Sequence, residues 1–318
     1  MNQQNMERHP THMTSTTVTV SAPATVANLV CGFDILGLAL ESPADILSLS
    51  LLDEPVIRIR NLDDFGLPAD PEKNICGAVL ASINRQLPSH VGFDLVQDKR
   101  IKPGSGIGSS AASAAATAVA ANILLGNRFT QSELISFAMD GEVLASGARH
   151  ADNVAPCILG GITLVRTVDP LDVLSIPFPP LYLTVIHPHI EVKTSEARSL
   201  LSPEVSLKLA VKQWANVAGL VTGLHQSDYG LIARSLEDFI VEPQRSKLIP
   251  NFYPLKKVCL DAGALGGGIS GAGPSVFMFS ETRERASAVE DAMKQVYART
   301  GIPFLTYVST IGKGVVQV

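Results

Sequence analysis

Ile101-Lys102-Pro103-Gly104-Ser105-Gly106-Ile107-Gly108-Ser109-Ser110-Ala111-Ala112 decides how the rest of this chain reads. Three glycines alternate with small residues, two serines follow, and an alanine-rich run continues to Leu125. Gly104, Gly106 and Gly108 let the backbone turn tightly and bring its N–H groups close to a ligand. Ser109 or Ser110 is expected at the N-cap of the following helix. A helix starting there turns its free N–H groups and positive dipole end toward whatever the loop holds. The expected ligand is therefore an anion, with a phosphate chain the foremost reading; the bland alternative is an ordinary turn before a buried alanine helix.

Two familiar phosphate loops are excluded. No G-x-x-x-x-G-K-[ST] occurs. Gly106 to Ala111 satisfies G-x-G-x-x-A and opens a helix, but a dinucleotide site needs a ribose-binding acid about 20 residues on. No Asp or Glu stands between Lys99 and Glu133. A second match, from Gly266 to Gly271, runs toward an apolar strand over residues 276–279 instead of into a helix.

The length of 318 residues suggests two domains. Hydrophobic content of 46% against 17% charged suits a folded enzyme and argues against disorder. A net charge of −5 offers no basic field for nucleic acid. Cys31, Cys76, Cys157 and Cys259 show no C-x-x-C spacing, which points to a reducing cytoplasm with neither zinc site nor disulfide framework. Residues 1–15 read as a polar, disordered tail without a signal-peptide core. The weakly apolar run 111–125 is too short to span a bilayer, so no membrane role is expected.

Strands are expected over 16–21, 46–52, 56–59 and 93–96, and a helix over 75–85. Thr130-Gln131-Ser132-Glu133 is a capping box for a helix ending near residue 146. Residues 157–166 read as a glycine-punctuated strand. The four prolines of 169–180 mark the linker, dividing an N-terminal domain (16–175) from a C-terminal one (176–318). Beyond it come a strand at 182–186, helices over 204–222, 229–240 and 252–262, a glycine loop, a strand at 276–279, a helix over 281–300 and a final strand. Mixed elements without strict βαβ alternation favour an α+β fold.

Glu142 carries the helical neighbours Ile135, Ala138 and Ala145 at −7, −4 and +3. A carboxylate on an apolar flank is costly to bury alone, and Mg²⁺ shared with phosphates would relieve that cost; an edge-exposed helical glutamate is the alternative. His150-Ala151-Asp152-Asn153 follows a Ser146-Gly147 break and suits a pocket wall or an ordinary Asx turn. Asn28 and Asp34 flank an apolar-glycine segment. Gly266 to Pro274 packs five glycines and a proline into nine residues, a run that exposes backbone N–H groups for binding.

Together these segments resemble the GHMP kinases (galactokinase, homoserine kinase, mevalonate kinase and relatives), and within them the homoserine kinase family. Pro23-Ala24-Thr25-Val26-Ala27-Asn28 with Gly32-Phe33-Asp34, the Gly-x-Gly-Ser-Ser-Ala-Ala loop, His150-x-Asp152-Asn153 and Ile269-Ser270-Gly271-Ala272-Gly273-Pro274 occur in order. The resemblance runs from about Val18 to the C-terminus. The loop and the C-terminal glycine motif indicate the superfamily; the N-terminal and His150 motifs, with Arg198 and Glu242-Pro243-x-Arg245, are more specific.

The resemblance implies an N-terminal α+β nucleotide domain joined to a C-terminal ferredoxin-like α+β domain. It implies transfer of the ATP γ-phosphoryl group to the side-chain hydroxyl of L-homoserine, on the route to threonine, and a homodimer. By position Lys102, Pro103, Gly104, Ser105, Gly106, Ile107, Gly108, Ser109, Ser110, Ala111 and Ala112 form the ATP phosphate loop. Ser110 and Glu142 are implied Mg²⁺ ligands, and Asn74 an aid to the nucleotide base. Asn28, Asp34, His150, Asn153, Arg198 and Arg245 line the amino-acid pocket, with Asn153 and Arg198 nearest the chemistry. Asp34 suits the substrate ammonium, and the two arginines suit its carboxylate. Mevalonate-kinase relatives place a proton-accepting aspartate in the stretch where Asn153 stands, so catalysis here is expected by positioning and charge stabilisation.

The chain departs from the family pattern at Ile107, Lys102 and Val30-Cys31. A related kinase for another alcohol is the nearest rival reading, yet an acceptor without an ammonium leaves Asp34 without a purpose. A non-catalytic nucleotide-binding member is the other, and it sits poorly with an intact loop and Glu142.

Overall fold

The structure, a computed structural model, describes residues 17–318. The tail expected over 1–15 lies outside them. In chain order the elements are β1 (Thr17–Ala27), β2 (Leu36–Leu52), β3 (Ile57–Asn61), α1 (Ile75–Asn84), β4 (Gly92–Asp98), α2 (Ser109–Leu124), α3 (Gln131–Ser146), α4 (Val154–Leu159), β5 (Ile162–Val168), β6 (Leu171–Ile176) and β7 (Tyr182–Pro188). There follow α5 (Thr194–Ser199), α6 (Leu207–Gln226), α7 (Tyr229–Ser235), α8 (Glu242–Arg245), α9 (Phe252–Asp261), β8 (Gly266–Ile269), β9 (Val276–Ser280), α10 (Arg283–Ala298), β10 (Phe304–Thr310) and β11 (Val316–Gln317).

β11, β1, β2, β4 and β3 form one sheet in that order, extended by β5 on β2 and by β6 on β5. Only β3 and β4 run parallel; the other pairs are antiparallel. The second sheet has the order β10-β7-β9-β8, all antiparallel. Strand β7, a helical crossover, β8, β9, α10 and β10 give the βαββαβ order of a ferredoxin-like unit. The fold is thus two-part α+β, as expected.

Along β9 the side chains alternate between two cores. Phe277 and Phe279 join the large cluster with Leu224, Ile232 and Leu236, while Val276 and Met278 join Val289, Met293 and Tyr297. A strand has period 2, so a sheet covered on both faces buries both sets. The last strand returns to the first where β11 pairs β1.

Three local expectations are corrected. Residues 157–159 are helical, because Val154–Leu159 forms α4 and the strand begins only at Ile162. The proline-rich 169–180 is not a linker throughout: β6 lies inside it and pairs β5, with Pro170 in the turn of that hairpin. Residues 177–181 alone run without strand or helix from β6 to β7 of the second sheet. The glycine run beginning at Gly266 is a buried strand for its first four residues. Cβ atoms at Gly267 and Gly268 would strike Met278 and Glu242, so glycine serves close approach there.

Candidate active site

Gly104, Gly106 and Gly108 all hold left-handed φ angles of 73°, 80° and 69°. A Cβ at Gly106 would collide with the Gly273 carbonyl, and one at Gly108 with Thr25 Oγ1. The N-cap of α2 is Gly108, not a serine, and no side chain caps the helix. The first-turn N–H groups are therefore left to the cleft that Gly108, Ser109 and Ser110 line. Ser109 instead turns back, its Oγ donating to the Ile101 carbonyl at 2.7 Å.

The loop is held from three sides. Ser270 Oγ donates to the Gly106 carbonyl at 2.7 Å and Ser275 Oγ to the Ser105 carbonyl at 2.6 Å. Thr25 N–H donates to the Ile107 carbonyl at 3.0 Å. Beneath α2, the buried Lys99 ammonium reaches Asp45 at 2.6 Å, the Ser109 carbonyl at 2.8 Å and Ser113 Oγ at 2.9 Å. Asp45 also accepts from the backbone of Arg100 and Ile101. This charge-assisted network fixes the strand entering the loop to the helix leaving it.

A cleft of about 550 Å³ opens over the loop. Pro103, Gly104, Gly106, Gly108, Ser109 and Ser110 line one wall. Ser110 Oγ donates to Glu142 Oε2 at 3.1 Å. Burial pushes the Glu142 carboxyl up to about 7, against the opposing pull of the Ser110 hydrogen bond and the Lys99 charge. A carboxylate and a hydroxyl in contact beside a phosphate-shaped loop make a donor set of hard oxygens, which suits Mg²⁺.

The opposite wall comes from segments far apart in sequence. Arg198, in α5, makes a two-pronged ion pair with Asp34, at 3.1 and 2.9 Å. Asp34 is fixed by its own N–H, which donates to Asn28 Oδ1 at 3.0 Å, while Asn28 Nδ2 donates to the Gly271 carbonyl at 2.9 Å. Asn28, Leu29, Val30 and Asp34 all have positive φ, a concentration of strain that marks functional loops. Arg245 leaves α8 and donates to the carbonyls of Ala197 and Gly271, each at 3.1 Å. Burial, and next the like charge of Arg198, lower its pKa.

His150 lines the same wall, and burial holds its imidazole below the usual range and so neutral at pH 7. Asn153 Oδ1 accepts from Thr25 Oγ1 at 2.7 Å, so its Nδ2 group is the one turned to the cleft. Thr25 follows the register shift of β1 at Pro23, a bulge that re-aims the side chain. Asp152 is buried beside them, its carboxyl pushed up to about 7 by burial and then by the Asp34 charge.

Not every residue expected at the site reaches it. Asn74 caps α1: its Oδ1 accepts from the Cys76 N–H at 2.8 Å and its Nδ2 donates to the Pro68 carbonyl at 2.6 Å. Leu67 and Ile75, on either side of it, line the cleft in its place. Ile107, Ala111 and Ala112 point into the core. Lys102 and Ser105 shape the loop without lining the cleft. Thr25, Lys99 and Asp152 were not singled out from sequence. Thr25 and Asp152 sit inside recognisable motifs, whereas Lys99 carries no signal beyond standing just before the loop.

The chain matches the family model of the GHMP kinase N-terminal domain over residues 74–161 and that of the C-terminal domain over 220–299. It is 47% identical to a homoserine kinase of Chloroherpeton thalassium, over 89% of this chain and 92% of that one. It is 40% identical to a homoserine kinase of Methanocella arvoryzae, over 94% and 96% respectively. The crystal structure of homoserine kinase from Cytophaga hutchinsonii superposes with a TM-score of 0.92 at 46% identity, covering all of both chains. A mevalonate kinase from L. major shares the fold at 17% identity, with a TM-score of 0.74. With its loop, its paired domains and these likenesses, the chain belongs to the homoserine kinase family of the GHMP kinases, and it is an enzyme.

Proposed function

We propose that this kinase transfers the γ-phosphoryl group of ATP to the side-chain hydroxyl of L-homoserine, giving O-phospho-L-homoserine for threonine biosynthesis in the cytoplasm. Pro103, Gly104, Gly106, Gly108, Ser109 and Ser110 cradle the phosphate chain, on a loop that the rest of 102–112 shapes. Ser110 and Glu142 hold Mg²⁺, which when bound supplies charge neutralisation to the phosphates. The observation that carries the reading is the Asp34–Arg198–Arg245 cluster facing the phosphate loop across one cleft. An amino acid brings one ammonium and one carboxylate. The ammonium replaces Arg198 at Asp34, and the carboxylate takes the Arg198 guanidinium so released together with Arg245.

Phosphoryl transfer passes through a loose transition state in which positioning and charge stabilisation do most of the work. The first-turn N–H groups of α2 and the Asn153 Nδ2 group are donors aimed at that region. Asn153 has no basic atom with which to take a proton. With no carboxylate base assigned, the acceptor's hydroxyl proton goes in this proposal to phosphoryl oxygen or solvent. His150, neutral, contributes a hydrogen-bonding ring to the pocket.

Thermal unfolding with Mg·ATP, with and without L-homoserine, tests this reading. It expects a further rise in Tm when the amino acid is added, and a shift from Mg·ATP alone that homoserine leaves unchanged would contradict it.

A further inference from the structure

The Asp34–Arg198 pair explains how the carboxylate clamp is closed before substrate arrives, but not what holds the clamp once Asp34 turns to an ammonium. One aromatic ring meets both arginines. The guanidinium carbon of Arg198 lies 5.4 Å from the centre of the Phe33 ring, and that of Arg245 lies 4.9 Å from it. Both distances fall within the range of cation–π attraction. Two like charges gathered on one wall repel, and the attraction of both to one ring opposes that repulsion without using a carboxylate that the substrate needs.

The backbone that carries the ring is anchored. Its loop is tied by Asn28 N–H to the Leu36 carbonyl at 2.6 Å and by Gly32 N–H to the Asn28 carbonyl at 2.8 Å. The left-handed Asp34 immediately after it sends the carboxylate toward Arg198, so ring and carboxylate contact the same guanidinium. A leucine would fill similar space there but offer no π face.

We infer that Phe33 is a positioning residue for acceptor specificity: its ring holds Arg198 and Arg245 so that an acceptor bearing an α-carboxylate is selected. This rests on the homoserine reading above. Phe33 does not line the cleft over the phosphate loop, so its contribution falls on acceptor binding through the arginines and not on the phosphoryl-transfer step.

Steady-state kinetics of Phe33→Leu and Phe33→Tyr test it, with L-homoserine compared to its carboxylate-free analogue L-homoserinol. Phe33→Leu is expected to raise KM for homoserine roughly tenfold, the scale of one or two lost cation–π contacts. The preference for homoserine over homoserinol should shrink by a similar factor, with KM for ATP unchanged, and Phe33→Tyr should restore it. Equal losses on both acceptors, or an unchanged homoserine KM, would overturn the proposal. If Phe33→Leu fails to fold, Phe33→Met puts the same question. A wild-type enzyme stabilised by Mg·ATP yet without homoserine-dependent turnover would overturn the underlying reading instead of the role of Phe33.

Discussion

Asp34 and Arg198, separated by 164 residues, meet in a bidentate ion pair on one wall of the cleft, with both side chains partly exposed. The pair is a charge-inverted image of an amino acid's own head group. Asp34→Asn is expected to raise KM for L-homoserine about 10- to 100-fold, the scale of a lost hydrogen bond to a charged group. KM for ATP should stay within about threefold, since Asp34 bonds to Asn28 and Arg198 and not to the loop's anchors Thr25, Ser270 and Ser275. Initial-rate kinetics with each substrate varied check both halves.

The phosphate loop tolerates no side chain at Gly108. Gly108→Ala adds a Cβ in a left-handed backbone and drives it into Thr25 Oγ1. The expected result is about a 5- to 150-fold loss of Mg·ATP affinity, from strain of roughly 1–3 kcal/mol. Titration calorimetry measures it. Thr25→Val, which removes the hydroxyl held by Asn153, should lower kcat while leaving Mg·ATP affinity nearly intact.

Legibility followed sequence distance. The loop, its alanine helix and the capping box of α3 are local patterns, and all three stand where expected. The serine cap failed because Gly108 itself adopts the left-handed cap position and frees the serines for Ile101 and Glu142. The hairpin β5–β6 was hidden by Pro170, which sits in its turn, and strand β8 by a glycine run that reads as a loop until close approach to Met278 is seen. Asn74 looked polar and available, yet its Oδ1 caps α1 and its Nδ2 is taken by the Pro68 carbonyl. No local pattern pairs Asp34 with Arg198, nor Lys99 with Asp45 across 54 residues; only the fold does.

Glu142 sets a pH dependence whose sign can be worked out. Its folded pKa is raised to about 7, so the ligand-free protein binds an extra proton between the unfolded value near 4.5 and 7. That contribution is fully present below 4.5 and is lost as pH rises through 7. Glu142→Gln should therefore raise the Tm of the ligand-free protein at pH 8 relative to wild type, by the equivalent of about 1–3 kcal/mol. The same variant should lose the increase in Mg·ATP affinity between pH 6 and pH 8 that ionisation of Glu142 gives the wild type.

A carboxylate does stand next to Asn153, so the absence of a general base is open to a direct check. Asp152→Asn should keep kcat within roughly tenfold at pH 8, because removing a required base costs about 10²–10⁴-fold. Asn153→Asp should not accelerate turnover by orders of magnitude. A collapse in the first, or a large gain in the second, measured across pH 6–9, would assign the hydroxyl proton to a carboxylate.

The most direct measurement is Mg-dependent ADP release from ATP with L-homoserine, set against L-serine, mevalonate and no acceptor. Strong release with homoserine alone is the predicted result. Equal release with every acceptor, or release only with mevalonate, would contradict the assignment of the Asp34–Arg198–Arg245 wall to an amino acid.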